Sequence, residues 1–104
     1  MKIVGVCACT VGIAHTYIAK EKLETAARKR GYKISLETQG TIGTEDELIN
    51  KDIEEADVVI LAVDVKISGI ERFDGKKIVK VPTGVAVKSP NKLLDKALEV
   101  VENK

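Results

Sequence analysis

The sequence predicts an α/β fold: a single Rossmann-like, three-layer domain built on a four-stranded parallel sheet with helices on both faces. Three observations carry this prediction. Strand-like and helix-like periodicities alternate along the chain. Two segments, "KIVGVCA" (2–8) and "DVVILAV" (57–63), are almost continuously apolar, as expected of central strands covered on both sides. At 104 residues, 44% of them hydrophobic and 32% charged, the chain supports one folded core. No repeat or Pro/Gly/Ser-rich linker divides it, so residues 1–104 are read as one domain.

The elements follow in order. After strand 2–8, residues 15–30 read as a helix, with Ala19, Leu23, Ala26 and Ala27 on one face and Lys20, Glu24 and Arg28 at i, i+4 spacing on the other. Gly31 suits the left-handed position past its end. "KISLETQ" (33–39) alternates, with Ile34, Leu36 and Thr38 sharing a face, and is expected at the sheet edge. In 41–56 the pair Thr44 and Glu47 has capping-box spacing and predicts one or two short helical pieces. "DVVILAV" and "KKIVKV" (76–81) are the third and fourth strands. Ser89 before Pro90 opens a last helix with Leu94, Ala97, Leu98 and Val101 inward. Pairing the two apolar strands at the centre gives the order 2-1-3-4 and puts the switch point between strands one and three. Ligands in such sheets bind at the carboxyl ends of the strands beside that point.

Composition excludes several classes of function. The formal net charge of +1 gives no electrostatic case for nucleic acid, and one Phe, two Tyr and no Trp leave few stacking platforms. No apolar run reaches the roughly 20 residues needed to span a bilayer. "MKIVGV" lacks a signal-peptide pattern. Two cysteines one residue apart are poorly placed for a disulfide, so a cytoplasmic, reduced protein is expected.

Chemistry concentrates in "VCACTVGIAHTYIAKEKLE" (6–24), which holds both cysteines and the single histidine. The turn leaves a strand and feeds a helix, so it offers unpaired backbone N–H groups and the positive end of a helix dipole. Cys9 stands where a thiol would be activated by those groups. Cys7 lies within the strand and reads as a buried small hydrophobe. A phosphate loop of cysteine-dependent phosphatases has Arg at the sixth position after Cys. Here His15 occupies that position, followed by Thr16, which favours a phosphoryl carrier over a phosphatase. Neither a metal site nor a redox pair fits, since Cys-x-Cys with one histidine lacks four ligands and the usual Cys-x-x-Cys spacing.

"CTVGIAHTYIAKEKLE" resembles the active-site segment of the fructose-specific enzyme IIB domains of the bacterial sugar phosphotransferase system, whose usual form is Cys-Pro-Thr-Gly-Ile/Val-Ala-His-Thr-Tyr-Met-Ala. "ETQGTIGTEDELINKDIEEADVVILAVD" (37–64) and "ERFDGK" (71–76) are similar to the same family at its order and spacing. The resemblance implies that Cys9 is the phosphorylated residue and that Thr10, Val11, Gly12, Ile13, Ala14, His15 and Thr16 form the phosphate-binding loop. Thr10 and Val11 depart from the family's Pro-Thr pair. It further implies a phosphotransferase, without cofactor or metal, that takes phosphate from a phosphohistidine of enzyme IIA. The phosphate passes to fructose or a related hexose held by membrane-embedded enzyme IIC. The protein is expected to be monomeric and to touch the membrane only through that partner. The competing readings are a small cysteine-dependent phosphatase and a non-catalytic anion-binding α/β module.

Overall fold

In a computed structural model the chain forms β1 (Lys2–Ala8), α1 (Ile13–Lys29), β2 (Lys33–Gly40), β3 (Gly43–Glu45), α2 (Asn50–Glu55), β4 (Val58–Val63), β5 (Ile78–Val81), α3 (Thr83–Lys88) and α4 (Pro90–Glu102), with a 3-10 turn at Ile70–Phe73. The structure describes residues 1–9, 13–40 and 43–102, and of residues 13–15 the backbone only. The sheet has five strands in the order β3-β2-β1-β4-β5. The β1–β2, β1–β4 and β4–β5 pairs are parallel, so the two apolar strands are central neighbours as expected.

The four-stranded, all-parallel sheet of order 2-1-3-4 needs correction. β3 adds a fifth strand antiparallel to β2, with Thr38 opposite Glu45 and Gln39 opposite Thr44, so the sheet is mixed and β2 is not an edge. Thr44 therefore pairs in a ladder instead of capping a helix, and α2 begins six residues later. A three-residue strand of sequence "GTE" carries too little alternation to announce itself. The helix α3 is likewise invisible in the sequence, because "TGVAVK" has a glycine and three β-branched residues and no helical stripe. It forms because Thr83 and Ala86 bury themselves in the fold.

The three layers follow from strand alternation. Ile3 and Cys7 of β1 and Val58, Ile60 and Ala62 of β4 face the layer of α1, α3 and α4, where Ala19, Leu23, Ala27, Ala86, Leu93, Leu94 and Ala97 meet them. The intervening residues, Val4, Val6 and Ala8 with Val59, Leu61 and Val63, face the other layer, packing on Leu48, Ile53 and Phe73. Both faces of the central strands are dry, which is why their sequences show no polar alternation. Gly31 takes φ 76°, and the N–H of Tyr32 donates to the Ala27 carbonyl at 3.0 Å, closing α1 as expected.

Gly5 is required by close approach of strands. A Cβ there would lie 2.2 Å from the Ile60 carbonyl oxygen and 2.9 Å from Leu36 Cδ2. The carbonyl belongs to the central ladder and cannot yield without breaking it. Gly5→Ala is therefore expected to destabilise the fold by about 3 kcal/mol, read as a lowered urea midpoint with unchanged slope.

Candidate functional site

Cys9 directly follows β1, at the carboxyl edge of the central strand pair, four residues before α1 begins. Its side chain is 7% exposed and lines an open cleft of about 450 Å³ with Ala8, Gln39, Gly40, Val65, Lys66 and Ser68. The cleft is thus framed by the ends of β1 and β2 and by the segment after β4, where a doubly wound sheet places its ligand. Cys7 is different. It is fully buried in the α1-facing core, and burial pushes its thiol up to about 12. At neutral pH it is a protonated, inaccessible group, so the default of a buried hydrophobe holds.

The predicted loop is only partly described. Thr10, Val11 and Gly12 lie outside the described residues, and so do the side chains of Ile13, Ala14 and His15. The backbone of Ile13–His15 forms the first turn of α1, whose N–H groups have no carbonyl partner within the helix. Thr16 is buried and lines a neighbouring crevice with Tyr17, Thr38, Gln39, Gly40, Gly43 and Glu45; it is not among the residues lining the Cys9 cleft. The segment 38–47 does border the site, since Gln39 and Gly40 line the cleft. The Tyr17 hydroxyl donates to the Glu45 carboxylate, tying α1 to β3.

A buried ion pair supports the cleft from below. The Glu37 side chain is 1% exposed and receives both terminal nitrogens of Arg72, at 2.8 and 3.0 Å. It also accepts from Gln39 Nε2 at 2.7 Å and from the Leu48 N–H at 3.0 Å. Burial by itself raises the Glu37 carboxyl, but Arg72, Gln39 and the Leu48 N–H outweigh it and hold it below the ordinary carboxylate range. Arg72 Nε donates to the Gly69 carbonyl at 2.7 Å. Gln39 exchanges a reciprocal pair of bonds with Ser68, donating to its carbonyl at 2.9 Å and accepting from its N–H at 2.8 Å. The network fastens the segment after β4 onto the end of β2. The "ERFDGK" stretch is therefore structural through Arg72. Glu37 and Gln39 were not singled out from the sequence, although an acid amid the alternating apolar residues of a strand demands a partner.

Asp64, the residue after β4, caps α3. Its carboxylate accepts from the Thr83 N–H at 3.0 Å and from the Thr83 hydroxyl at 2.6 Å, and its own N–H donates to the Ala8 carbonyl at 2.9 Å. Asp64→Ala should cost about 1–2 kcal/mol in equilibrium unfolding, because the first N–H of α3 and the buried Thr83 hydroxyl lose their acceptor.

Together these features define an α/β protein with one cleft-lining thiol at the carboxyl end of its central strand, beside a helix start suited to an oxyanion. The family model "PTS system, Lactose/Cellobiose specific IIB subunit" matches residues 4–96. The chain is 48% identical over 95 residues to "PTS system fructose-like EIIB component 2" of Escherichia coli K12, covering 91% of this chain and 90% of that one. It is 41% identical over 96 residues to the "PTS system fructose-specific EIIB'BC component" of Vibrio cholerae, covering 92% of this chain but 16% of that longer protein. Among solved structures, a domain of the "fructose-specific iiabc component (Pts system)" of Borrelia burgdorferi superposes with a TM-score of 0.88 at 48% identity, covering 94% and 93% of the two chains. The "Enzyme IIB subunit of PTS system" of Escherichia coli K12 gives 0.89 at 34% identity, covering 96% and 93%.

The chain belongs to the enzyme IIB family of the sugar phosphotransferase system. It is a phosphotransferase component of that system and works with its other components.

Proposed function

We propose that Cys9 is the phosphoacceptor, taking a phosphoryl group from a phosphohistidine of enzyme IIA and passing it to a sugar bound by membrane-embedded enzyme IIC. The observation that supports this most is the position of Cys9, which lines an open cleft at the carboxyl end of β1 while Cys7 is sealed in the core. In the first step the Cys9 sulfur attacks phosphorus, an S–P bond forms, and the P–N bond to the donor imidazole breaks. The departing electron pair stays on that nitrogen, and the thiol proton balances the freed imidazole. The second step reverses the roles: a sugar hydroxyl oxygen attacks phosphorus, an O–P bond forms as the S–P bond breaks, the electron pair returns to sulfur, and the hydroxyl proton balances the freed thiolate. Residues Thr10–Thr16 form the phosphate-binding loop in this reading, with the free N–H groups at the start of α1 facing the developing negative charge.

The sugar is fructose or a related hexose, a reading supported by the names of the relatives matched along most of this chain. The chain acts as one monomeric IIB domain on the cytoplasmic side. Among the described residues no helix is long and apolar enough to cross a membrane. The test is reconstitution with phosphoenolpyruvate, the upstream phosphotransferase proteins, enzyme IIA and membranes carrying enzyme IIC. Labelled fructose should become sugar phosphate only when this chain is present. No product, with enzyme IIA shown to be phosphorylated and the membranes active with another IIB, would overturn the reading.

A further inference from the structure

Of the described residues lining the Cys9 cleft, Ala8, Cys9, Gln39, Gly40, Val65, Lys66 and Ser68, only Lys66 carries a charge. It sits in the segment that follows β4, and that segment is held in place. Ser68, two residues on, is bound through both its N–H and its carbonyl to the Gln39 side chain, and Arg72 also donates to the Ser68 carbonyl at 3.3 Å. Gln39 is in turn fixed by Glu37. Its amide spends its nitrogen on Glu37 and the Ser68 carbonyl and its oxygen on the Ser68 N–H, so its visible role is to position the segment.

We infer that Lys66 is a phosphoryl-binding residue: its ammonium neutralises the phosphoryl group carried by Cys9, and the Glu37–Gln39–Ser68 chain of hydrogen bonds holds it at the cleft. The inference rests on Cys9 being the phosphoacceptor. A phosphoryl group on sulfur brings close to two negative charges to a cleft whose other described lining is neutral, and the sequence has no arginine at the clamp position of a phosphatase loop. A lysine answers that charge as a point cation, without the rigid bidentate grip of arginine. Such an arrangement suits a carrier, which must hold the group and then release it to a second acceptor. Lys66 is exposed, so its replacement opens no cavity in the core.

The experiment is a phosphorus NMR titration of the phosphorylated protein, comparing wild type, Lys66→Gln and Lys66→Arg, each first shown by mass to carry one phosphoryl group on Cys9. Absence of the adduct in wild type would count against Cys9 itself, independently of Lys66. Given the adduct, loss of the nearby cation in Lys66→Gln should raise the midpoint of the phosphoryl titration by about half a pH unit or more, and Lys66→Arg should restore it. The half-life of the adduct should shorten in Lys66→Gln as well. A residue that served only to dock partner proteins would leave the titration of the isolated adduct unmoved. An unchanged midpoint in Lys66→Gln, or an equal rise in Lys66→Arg, would overturn the inference.

Discussion

Cys9→Ser is expected to abolish phosphoryl transfer through this protein, lowering the rate of sugar phosphorylation by on the order of 10³-fold or more, whereas Cys7→Ser leaves transfer in place. A serine hydroxyl at position 9 keeps the shape of the cleft but is a far weaker nucleophile at neutral pH, and no general base lies among the described cleft residues to activate it. Cys7→Ser puts a hydroxyl into a fully buried, apolar position, so its cost falls on stability and not on chemistry. Coupled assays of the two variants, run beside their unfolding curves, separate these effects. Serine at 9 should give a stable, inactive protein, and serine at 7 an active protein with a lowered midpoint. Transfer surviving in Cys9→Ser would place the phosphoacceptor elsewhere.

The second large effect concerns the ion pair beneath the cleft. Arg72→Met should destabilise the fold by about 3 kcal/mol, because it strands a buried carboxylate that retains only Gln39 and the Leu48 N–H. For a domain of this size such a loss lowers Tm by on the order of 15 °C. Replacing both partners, as Glu37→Leu with Arg72→Met, should recover part of it, since two apolar groups carry no desolvation debt. The pair also sets the acid limb of stability. The Glu37 carboxyl lies lower in the folded chain than in the unfolded one, so its contribution is fully present above the unfolded carboxylate value of about 4.3. It fades as pH falls toward the folded value, where the native state at last takes up the proton. Wild type and Glu37→Gln should therefore differ most in urea unfolding near neutral pH and converge in acid, below the ordinary carboxylate range. A gap that stayed constant with pH would mean the carboxylate is not the charged partner of Arg72.

The same ion pair shows where sequence reading reached its limit. Long, one-sided or doubly buried elements were legible: α1 through Ala19, Leu23 and Ala27, the central strands through their unbroken apolar runs, and the adjacency of β1 and β4. The position of Cys9 was legible for a related reason, since the first strand–helix turn of such a sheet lies at its carboxyl edge whatever the rest of the chain does. β3 and α3 were not, because three- and six-residue elements are made by tertiary pairing and hold no period of their own. The capping-box spacing of Thr44 and Glu47 competed with a ladder position opposite Gln39, and the ladder prevailed. The partnership of Glu37 with Arg72 spans 35 residues, and local pattern carries no information at that range. Lys66 was overlooked as one lysine among many. Its meaning comes from the Gln39–Ser68 clamp that brings its segment beside the thiol.

The most direct test of the central claim is to locate the phosphoryl group on the protein. After incubation with phosphoenolpyruvate, the upstream proteins and enzyme IIA, intact mass should show one added phosphoryl group, and fragmentation kept at mild pH should map it to Cys9. A phosphoryl group found on His15, or none on a chain mixed with demonstrably phosphorylated enzyme IIA, would contradict the account.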